Sequence, residues 1–358
     1  MHEHQGFSAI ETPALLLDLD VLEGNIRTMA EFFSGRSTRL RPHFKTHKSP
    51  AICRLQVAAG AVGVCCATLS EAEVVLAGGI RNVLIANQIV HPAKVARLAD
   101  LARGDASLGV CVDDARNVEM LSAAAARAGS TLGVLVEVDV GMGRCGVATA
   151  EEALELARVV AASPGLRFAG IQAYEGHLAG IVEAERRRAG VDLIVEAITR
   201  VKEVLERGGV PAGTVTGGST GTYALTGANT PWTEIQAGSY VFMDTAYERL
   251  GLPFRDALTV LATVVHAKGG RAVTDAGLKA CTTDHGVPQV KGHPELRVRL
   301  NEEHGIVEDP RGVLQWGQNI EYLPSHSCTT VNLHDRYVCH RAGRVEAVWP
   351  IPGRGKSQ

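Results

Sequence analysis

Between residues 13 and 248, short apolar runs alternate with longer stretches rich in Ala, Leu, Glu and Arg that carry a helical period. A strand buried on both faces reads as a continuous apolar run, and a covering helix reads as one apolar stripe, so this alternation predicts repeated βα units on a parallel sheet. The predicted strands are ALLLDLD, GVCCAT, NVLIAN, SLGVCVDD, LGVLVEVDV, RFAGIQAY and GTVTGG, with EIQAG as an eighth. Between them stand helical segments such as LEGNIRTMAEFFS, ARNVEMLSAAAARAG, AEEALELARVVAAS and the long EAERRRAGVDLIVEAITRVKEVLERGG. About eight such units predict a closed (β/α)8 barrel over residues 13–249. After residue 250 the pattern changes to β-like runs (TVLATVVHA, RAVTDAG, LRVRLNEEHGIVE, NIEYLPSH, RYVCHRAGRVEAVWP) divided by Gly, Pro and Asn, with no long helix. Residues 250–358, with 1–12, are therefore expected to form a second, smaller β domain.

A chain of 358 residues with 46% hydrophobic content buries a large core, which excludes disorder and fibrous architectures. The formal net charge is −3 and there is no long run of basic residues, so neither nucleic acid nor an anionic membrane surface is the expected partner. A small molecule is. The opening MHEHQGFSAIETP has neither a basic nor an apolar signal region, and no segment reaches the ~18 apolar residues of a membrane span, so a cytoplasmic protein is expected. The eight cysteines are scattered, mostly inside apolar runs, and read as reduced core thiols. Cys328 alone has a histidine two residues away.

In a barrel, the side chains at the C-terminal ends of the strands converge on one mouth, where chemistry is built. Four segments put polar groups at such places. In RLRPHFKTHK, Lys45 stands between Phe44 and Thr46; desolvated at a barrel mouth, its amine becomes competent for Schiff-base chemistry, although the segment alone reads equally as a solvated basic loop. VTGGSTGT offers Thr216, Gly217, Gly218 and Ser219, and QAGSY offers Gly238, Ser239 and Tyr240. Both have the glycines and hydroxyls of a phosphate nest, and both are also what an ordinary tight turn looks like. EVDVGMGRCG ends an apolar run in acids, glycines and Arg144, which can hold a phenolate or carboxylate or lie on the surface. QAYEGH places Tyr174 and His177 at a strand end, where Tyr174 can equally be a core aromatic with a wet hydroxyl. In PSHSCTTVNLHD, His326 and Cys328 face the same way if the backbone is extended, so an imidazole and a thiolate can grip one ion. Two protein ligands leave open positions, which suits Lewis-acid catalysis; isolated His-x-Cys pairs are also a common coincidence.

Taken in order, PHFKTHK, EVDVGMGRCG, QAYEGH, TGGSTGT, QAGSYVFMD, DAGLKA, NEEHG and PSHSCTTVNLHD resemble the successive motifs of the D-threonine aldolase and D-serine dehydratase family, fold-type III pyridoxal-phosphate enzymes with an alanine-racemase-like barrel. The resemblance runs over nearly the whole chain. It implies that Lys45 is the Schiff-base lysine, that Arg144 lies near the cofactor's phenolic oxygen and Tyr174 near its pyridine ring. It also implies that Thr216, Gly217, Gly218, Ser219, Gly238, Ser239 and Tyr240 bind the cofactor, chiefly at its phosphate, and that His326 and Cys328 hold a divalent metal. Zinc or manganese suits a soft thiolate better than magnesium does. His304, with Glu303, is a further catalytic helper near the metal, or simply a turn between strands. Members of the family form homodimers, so a homodimer is expected.

The activity implied is retro-aldol cleavage of a D-3-hydroxy amino acid to glycine and an aldehyde, as in D-threonine and 3-hydroxy-D-aspartate aldolases. His326-Ser327-Cys328 resembles the metal motif of the dehydratases, whereas VNLHD, DAGLKA and QAGSYVFMD resemble the aldolases, so the alternative outcome is dehydration of D-serine or D-threo-3-hydroxyaspartate to a 2-oxo acid and ammonia. Ser219 also stands where a third glycine is common. A non-catalytic pyridoxal-phosphate carrier would not need the hundred or so residues after 250, and a racemase would have no use for the metal pair.

Overall fold

The computed structural model describes residues 6–228 and 231–358; the first five residues of the expected 1–12 segment lie outside them. The chain forms two compact units. One comprises Ala30–Lys45, Ile52–Gly238 and Lys356–Gln358; the other comprises the chain up to Met29, Thr46–Ala51 and Ser239–Gly355.

The first strand, β1 (Ala14–Asp18), belongs to the second unit. The first unit is a (β/α)8 barrel of β2 (Arg39–Leu40), β3 (Val64–Cys66), β4 (Val83–Gln88), β5 (Gly109–Val112), β6 (Leu132–Glu137), β7 (Leu166–Ala173), β8 (Thr214–Gly217) and β9 (Glu234–Ile235), paired in parallel in the order 2-9-8-7-6-5-4-3. A parallel bridge between His43 and Cys65, with Cys65 N–H donating to Pro42 O at 2.9 Å, joins the two ends of that order and closes the barrel. Every residue of β5 and β6 is buried, as a strand covered on both faces requires.

Helices α1 (Leu19–Phe33), α2 (Pro50–Ala58), α3 (Leu69–Ala77), α4 (Pro92–Ala102), α5 (Ala115–Ala128), α6 (Ala150–Ala162) and α7 (Ala184–Arg207) alternate with these strands along the chain, followed by the single-turn α8 (Tyr223–Thr226). Their starts follow local chemistry. Thr149 and Glu152 form a reciprocal capping box at α6, and Asp114 caps α5, which stops at left-handed Gly129. Buried Val118, Leu121, Ala124 and Ala125 repeat every three to four residues, giving α5 one inward stripe.

The expected first barrel strand, ALLLDLD, is a correction. Its core, β1, pairs antiparallel with β10 (Leu258–Lys268) and parallel with β16 (Arg336–Arg341), all in the second unit. A run buried on both faces looks the same in a barrel and in the centre of an antiparallel sheet. The barrel's own first strand is only Arg39-Leu40, too short to show any period. The second unit accordingly takes in the chain up to Met29, beyond the expected boundary at residue 12, and resumes at Ser239, ahead of residue 250.

The second unit carries β11 (Arg271–Thr274), β12 (Gln289–Val290), β13 (Arg297–Leu300), β14 (Gly305–Glu308), β15 (Asn319–Leu323) and β17 (Arg344–Pro350) in the order 13-14-11-10-1-16-17, with β15 also on β10 and β12 on β15. Alternation returns here: in β15, Ile320 and Tyr322 are buried while their neighbours are partly exposed. Leu16, Leu261, Val338 and Val345 pack with Ile10 and Ala14 in its core. The unit also carries the short α-helices α9 (Thr245–Glu248) and α10 (Ser327–Val331). No helix among the described residues is long and apolar enough to cross a membrane. Cys53, Cys65, Cys66, Cys111, Cys281 and Cys339 are buried and in no disulfide, as expected of core thiols.

Candidate active site

Where β2 ends, Arg41 is clamped by two bonds to the Glu234 carboxylate (2.6 and 2.8 Å) and a third to Asn82 O (2.6 Å). A largely buried guanidinium held in this way is rigid. The following turn, Phe44–Thr46, seats Phe44 fully inside, and the Lys45 N–H donates to His43 Nδ1 at 3.3 Å. Lys45 therefore leaves a fixed backbone and enters a cavity of about 130 Å³ whose polar lining is His43, Lys45, Asn87, Arg144, Gln172, Tyr174 and Gln236. Its Nζ lies 5.9 Å from the centre of the Tyr174 ring, and Arg144 Cζ lies 5.5 Å from that centre. Two cations share one aromatic face or edge, a grouping that favours an anionic, planar guest.

The side chains around this cavity are set by their neighbours. A Cβ on Gly176 would meet the Tyr174 ring at 2.4 Å, so only glycine lets the ring fold back against its own chain. Glu137 accepts from Gln88 Nε2 at 2.6 Å and lies 3.5 Å from Arg144. Burial raises its pKa, against the pull of Gln88 and Arg144. Gln236 Nε2 donates both to Gln172 Oε1 and to Thr216 Oγ1, each at 3.0 Å, so Thr216 belongs to the same buried polar network.

Beyond β8 the chain makes the glycine turn singled out in the sequence. A Cβ on Gly217 would strike Ala173 O at 1.9 Å, and Gly218 has φ 76, which makes both positions glycine by geometry. The turn is held from beneath by Glu175, fully buried, which accepts from Gly218 N–H (2.9 Å) and Thr222 Oγ1 (2.6 Å); Thr222 Oγ1 also accepts the Ser219 N–H at 3.0 Å. Burial raises the pKa of Glu175 despite these bonds. Gly238 ends the stretch of chain assigned to this unit. Ser239 and Tyr240 follow in the second unit as a buried one-turn helix, Ser239–Val241, whose Ser239 carbonyl accepts Met243 N–H at 2.8 Å.

The second unit carries the His-x-Cys motif in a conformation the sequence did not suggest. His326 is extended (φ −147, ψ 112), but the chain turns helical at Ser327, because Asp244 Oδ2 takes the Ser327 N–H at 3.0 Å and Ser327 Oγ bonds Met243 O. Cys328 thus sits in the first turn of α10 with His326 at its N-cap, not two places along a strand as expected. The pair still meets. Burial alone would lower the His326 pKa; its contacts with the Cys328 thiol and Asp284 outweigh that and push it up to about 9. The Cys328 thiol also donates to the hydroxyl of Thr46, the residue after Lys45, at 3.4 Å. His326 Nδ1 lies 2.5 Å from Asp284 Oδ2, the His285 ring stacks on the His326 ring at 4.1 Å, and the ligand atoms of Asp284, His285 and His326 lie within 4.8 Å of one another. His304 lies exposed in the turn between β13 and β14, where the neighbouring Glu303 pairs with Lys279 at 2.5 Å; it is not one of that gathered trio.

Asn87, Glu137, Gln172, Glu175, Gln236, Asp284 and His285 are site residues that sequence reasoning passed over. Glu137, Gln172, Glu175 and Gln236 do lie inside quoted motifs, and strand-end placement was the signal that could have found them. Asp284 and His285 lie about forty residues before His326 with no period to flag them.

Comparison with known proteins completes the picture. The alanine racemase N-terminal domain matches residues 17–246, and a serine dehydratase domain matches residues 257–340. The 3-hydroxy-D-aspartate aldolase of Paracoccus denitrificans is 43% identical over 98% of this chain and 93% of its own length. The chain belongs to the D-threonine aldolase and D-serine dehydratase family. Within that family, the crystal structure of D-threonine aldolase from Filomicrobium marinum superposes with a TM-score of 0.97 at 40% identity, covering 100% of this chain and 99% of that one. D-threo-3-hydroxyaspartate dehydratase of Delftia sp. stands further off, 31% identical over 90% of this chain and 92% of its own length. The family's barrel is that of pyridoxal-phosphate-dependent, alanine-racemase-like enzymes.

Proposed function

We propose that this protein is a pyridoxal-phosphate- and divalent-metal-dependent lyase that cleaves a D-3-hydroxy amino acid to glycine and an aldehyde. The observation that carries the reading is the whole-chain likeness to aldolases at 43% and 40% identity, against 31% for the dehydratase.

The residues at the barrel cavity fit the cofactor: a lysine amine, an aromatic ring and a guanidinium line one space, and a glycine turn with buried hydroxyls follows β8. In this reading Lys45 would hold the cofactor through Nζ, and Arg144, steadied by Glu137, would meet its phenolic oxygen. Tyr174 would be the aromatic neighbour of its ring. Gly217, Gly218, Ser219 and Gly238, with the next two residues of the chain, Ser239 and Tyr240, would hold its phosphate, and Thr216 would bind the cofactor beside them. The cofactor supplies an electron sink for the electrons released at the substrate's Cα. Glu175 keeps the phosphate turn in shape. The Gln172–Gln236–Thr216 network fixes the cavity wall without adding a charge to it.

His326 and Cys328 would hold the metal, with zinc or manganese favoured over magnesium by the thiolate. The chemistry such an ion supplies is to lower the pKa of a substrate hydroxyl. Buried cysteines in no disulfide fit a reducing, cytoplasmic setting, and a homodimer completes the reading.

One observation favours dehydration instead. The Delftia dehydratase has been solved both as a histidine variant and as a cysteine variant in metal-free form, and this chain has a His-x-Cys pair. Products decide between the two. Purified, metal-loaded enzyme given D-threonine, D-threo-3-hydroxyaspartate and D-serine is expected to release glycine and an aldehyde; a 2-oxo acid and ammonia in their place would establish the dehydratase.

A further inference from the structure

An imidazole that binds a metal through one nitrogen must have the proton of the other nitrogen held, or its tautomer and ring torsion are left open. His326 is held in this way. Its Nδ1 lies 2.5 Å from Asp284 Oδ2, while the other carboxylate oxygen of Asp284 accepts from Thr329 Oγ1 at 2.8 Å. Thr329 is a residue of α10, the same short helix that carries Cys328, and its hydroxyl also lies 2.7 Å from Thr282 Oγ1. The carboxylate is therefore tied to the ring and to the helix at once. The His285 ring, parallel to His326 within 3° at 4.1 Å, fixes the plane of the imidazole from its face.

We infer that Asp284 is the positioning residue of the metal pair, holding the Nδ1–H tautomer of His326 so that Nε2 and the Cys328 thiolate are presented together to the ion. The inference rests on the metal reading above. The alternative is that Asp284 is itself a ligand, since its oxygen is one of three donor atoms gathered within 4.8 Å. The distance argues against that. Nitrogen and oxygen ligands at ~2.0–2.1 Å in a tetrahedral site sit about 3.3 Å apart, whereas Asp284 Oδ2 and His326 Nδ1 are separated by 2.5 Å, a hydrogen-bond distance. A carboxylate in that position also makes the far nitrogen a better donor to the metal.

The test is zinc and cobalt(II) binding to the holoenzyme by competition with a chromophoric chelator, for the native protein and for Cys328→Ala, Asp284→Asn and Thr329→Val. Asp284→Asn is expected to weaken zinc binding roughly 10–100-fold, with the cofactor's visible band unchanged and the cobalt(II) spectrum at saturation identical to the native one, because the bound ligands are the same. Thr329→Val, which leaves the Asp284–His326 bond in place and loosens only the carboxylate, is expected to weaken binding a few-fold. It carries the test if Asp284→Asn fails to fold, and native affinity in it would then overturn the inference. Native zinc affinity in Asp284→Asn while Cys328→Ala has lost it would overturn the role of Asp284 and leave the metal pair standing. A changed cobalt(II) spectrum at saturation would make Asp284 a ligand and equally overturn it. If the native protein binds no zinc, or Cys328→Ala binds it as tightly, the metal reading fails and takes this inference with it.

Discussion

The two units hold their functional side chains by different means. In the barrel, Lys45, Tyr174 and the turn after β8 are set by close packing and buried hydrogen bonds: fully buried Phe44 precedes the lysine, Gly176 lies against the tyrosine ring, and Glu175 holds the glycine turn. In the second unit, His326 and Cys328 are positioned by Asp284, Thr329 and Asp244, several of them partly exposed. A site fixed by sterics tolerates no added atom, whereas one fixed by charge and hydrogen bonds tolerates conservative change and answers to metal.

Substitutions that separate these two modes can be ranked. Lys45→Ala should abolish both the visible cofactor band and all turnover; a protein that stays yellow would refute the Schiff-base assignment. Cys328→Ala should keep the cofactor band and lose metal-dependent turnover by at least about 100-fold, and undiminished activity would remove the metal from the mechanism. Glu175→Ala leaves the Gly218 N–H and the Thr222 hydroxyl without their acceptor, at about 1–3 kcal/mol for each buried donor. Urea unfolding should show that loss together with weaker cofactor binding, and unaltered cofactor affinity would mean the turn does not serve the phosphate. Gly176→Ala puts a Cβ 2.4 Å from the Tyr174 ring, which must move, at about 1–3 kcal/mol. A cofactor titration indistinguishable from the native one would show that Tyr174 has no part in binding.

The smallest effect is expected in the second unit and depends on pH. Burial, then the nearby carboxylates of Glu248 and Asp244, push the pKa of Asp256 from 3.8 to about 6, and one of its oxygens is buried without a hydrogen-bond partner among the described residues. A carboxyl raised on folding favours the folded state while protonated, so its contribution is present below about pH 4 and is lost as pH rises through about 6. Asp256→Asn should therefore raise the melting temperature at pH 7–8 and leave it unchanged near pH 4. The same gain at both pH values would locate its cause outside this titration.

Most of the barrel was legible in the chain. GVCCAT, NVLIAN, SLGVCVDD, LGVLVEVDV, RFAGIQAY and GTVTGG all fall on barrel strands, because parallel strands covered on both sides need continuous apolar runs. ALLLDLD obeys the same rule, yet it belongs to the other sheet: burial on two faces says nothing about which strands lie alongside. The residues that touch the cavity from strand ends, Lys45, Arg144 and Tyr174, were found because chemistry collects where apolar runs stop. Their supports were not. Gln172 and Gln236 meet across 64 residues, and Asp284 reaches His326 across 42.

The sequence by itself determined the alternation of strands and helices, the change of pattern near residue 250, and the amine, guanidinium, glycine turn and His-x-Cys pair from which a site could be built. Only the tertiary structure decided that β1 leaves the barrel, that Arg39-Leu40 opens it, that α10 rather than a strand carries Cys328, and that Asp284 grips His326. Periodicity records whether a side chain is buried, whereas pairing and long-range hydrogen bonds depend on which distant segment supplies the other surface, and no local pattern encodes that choice.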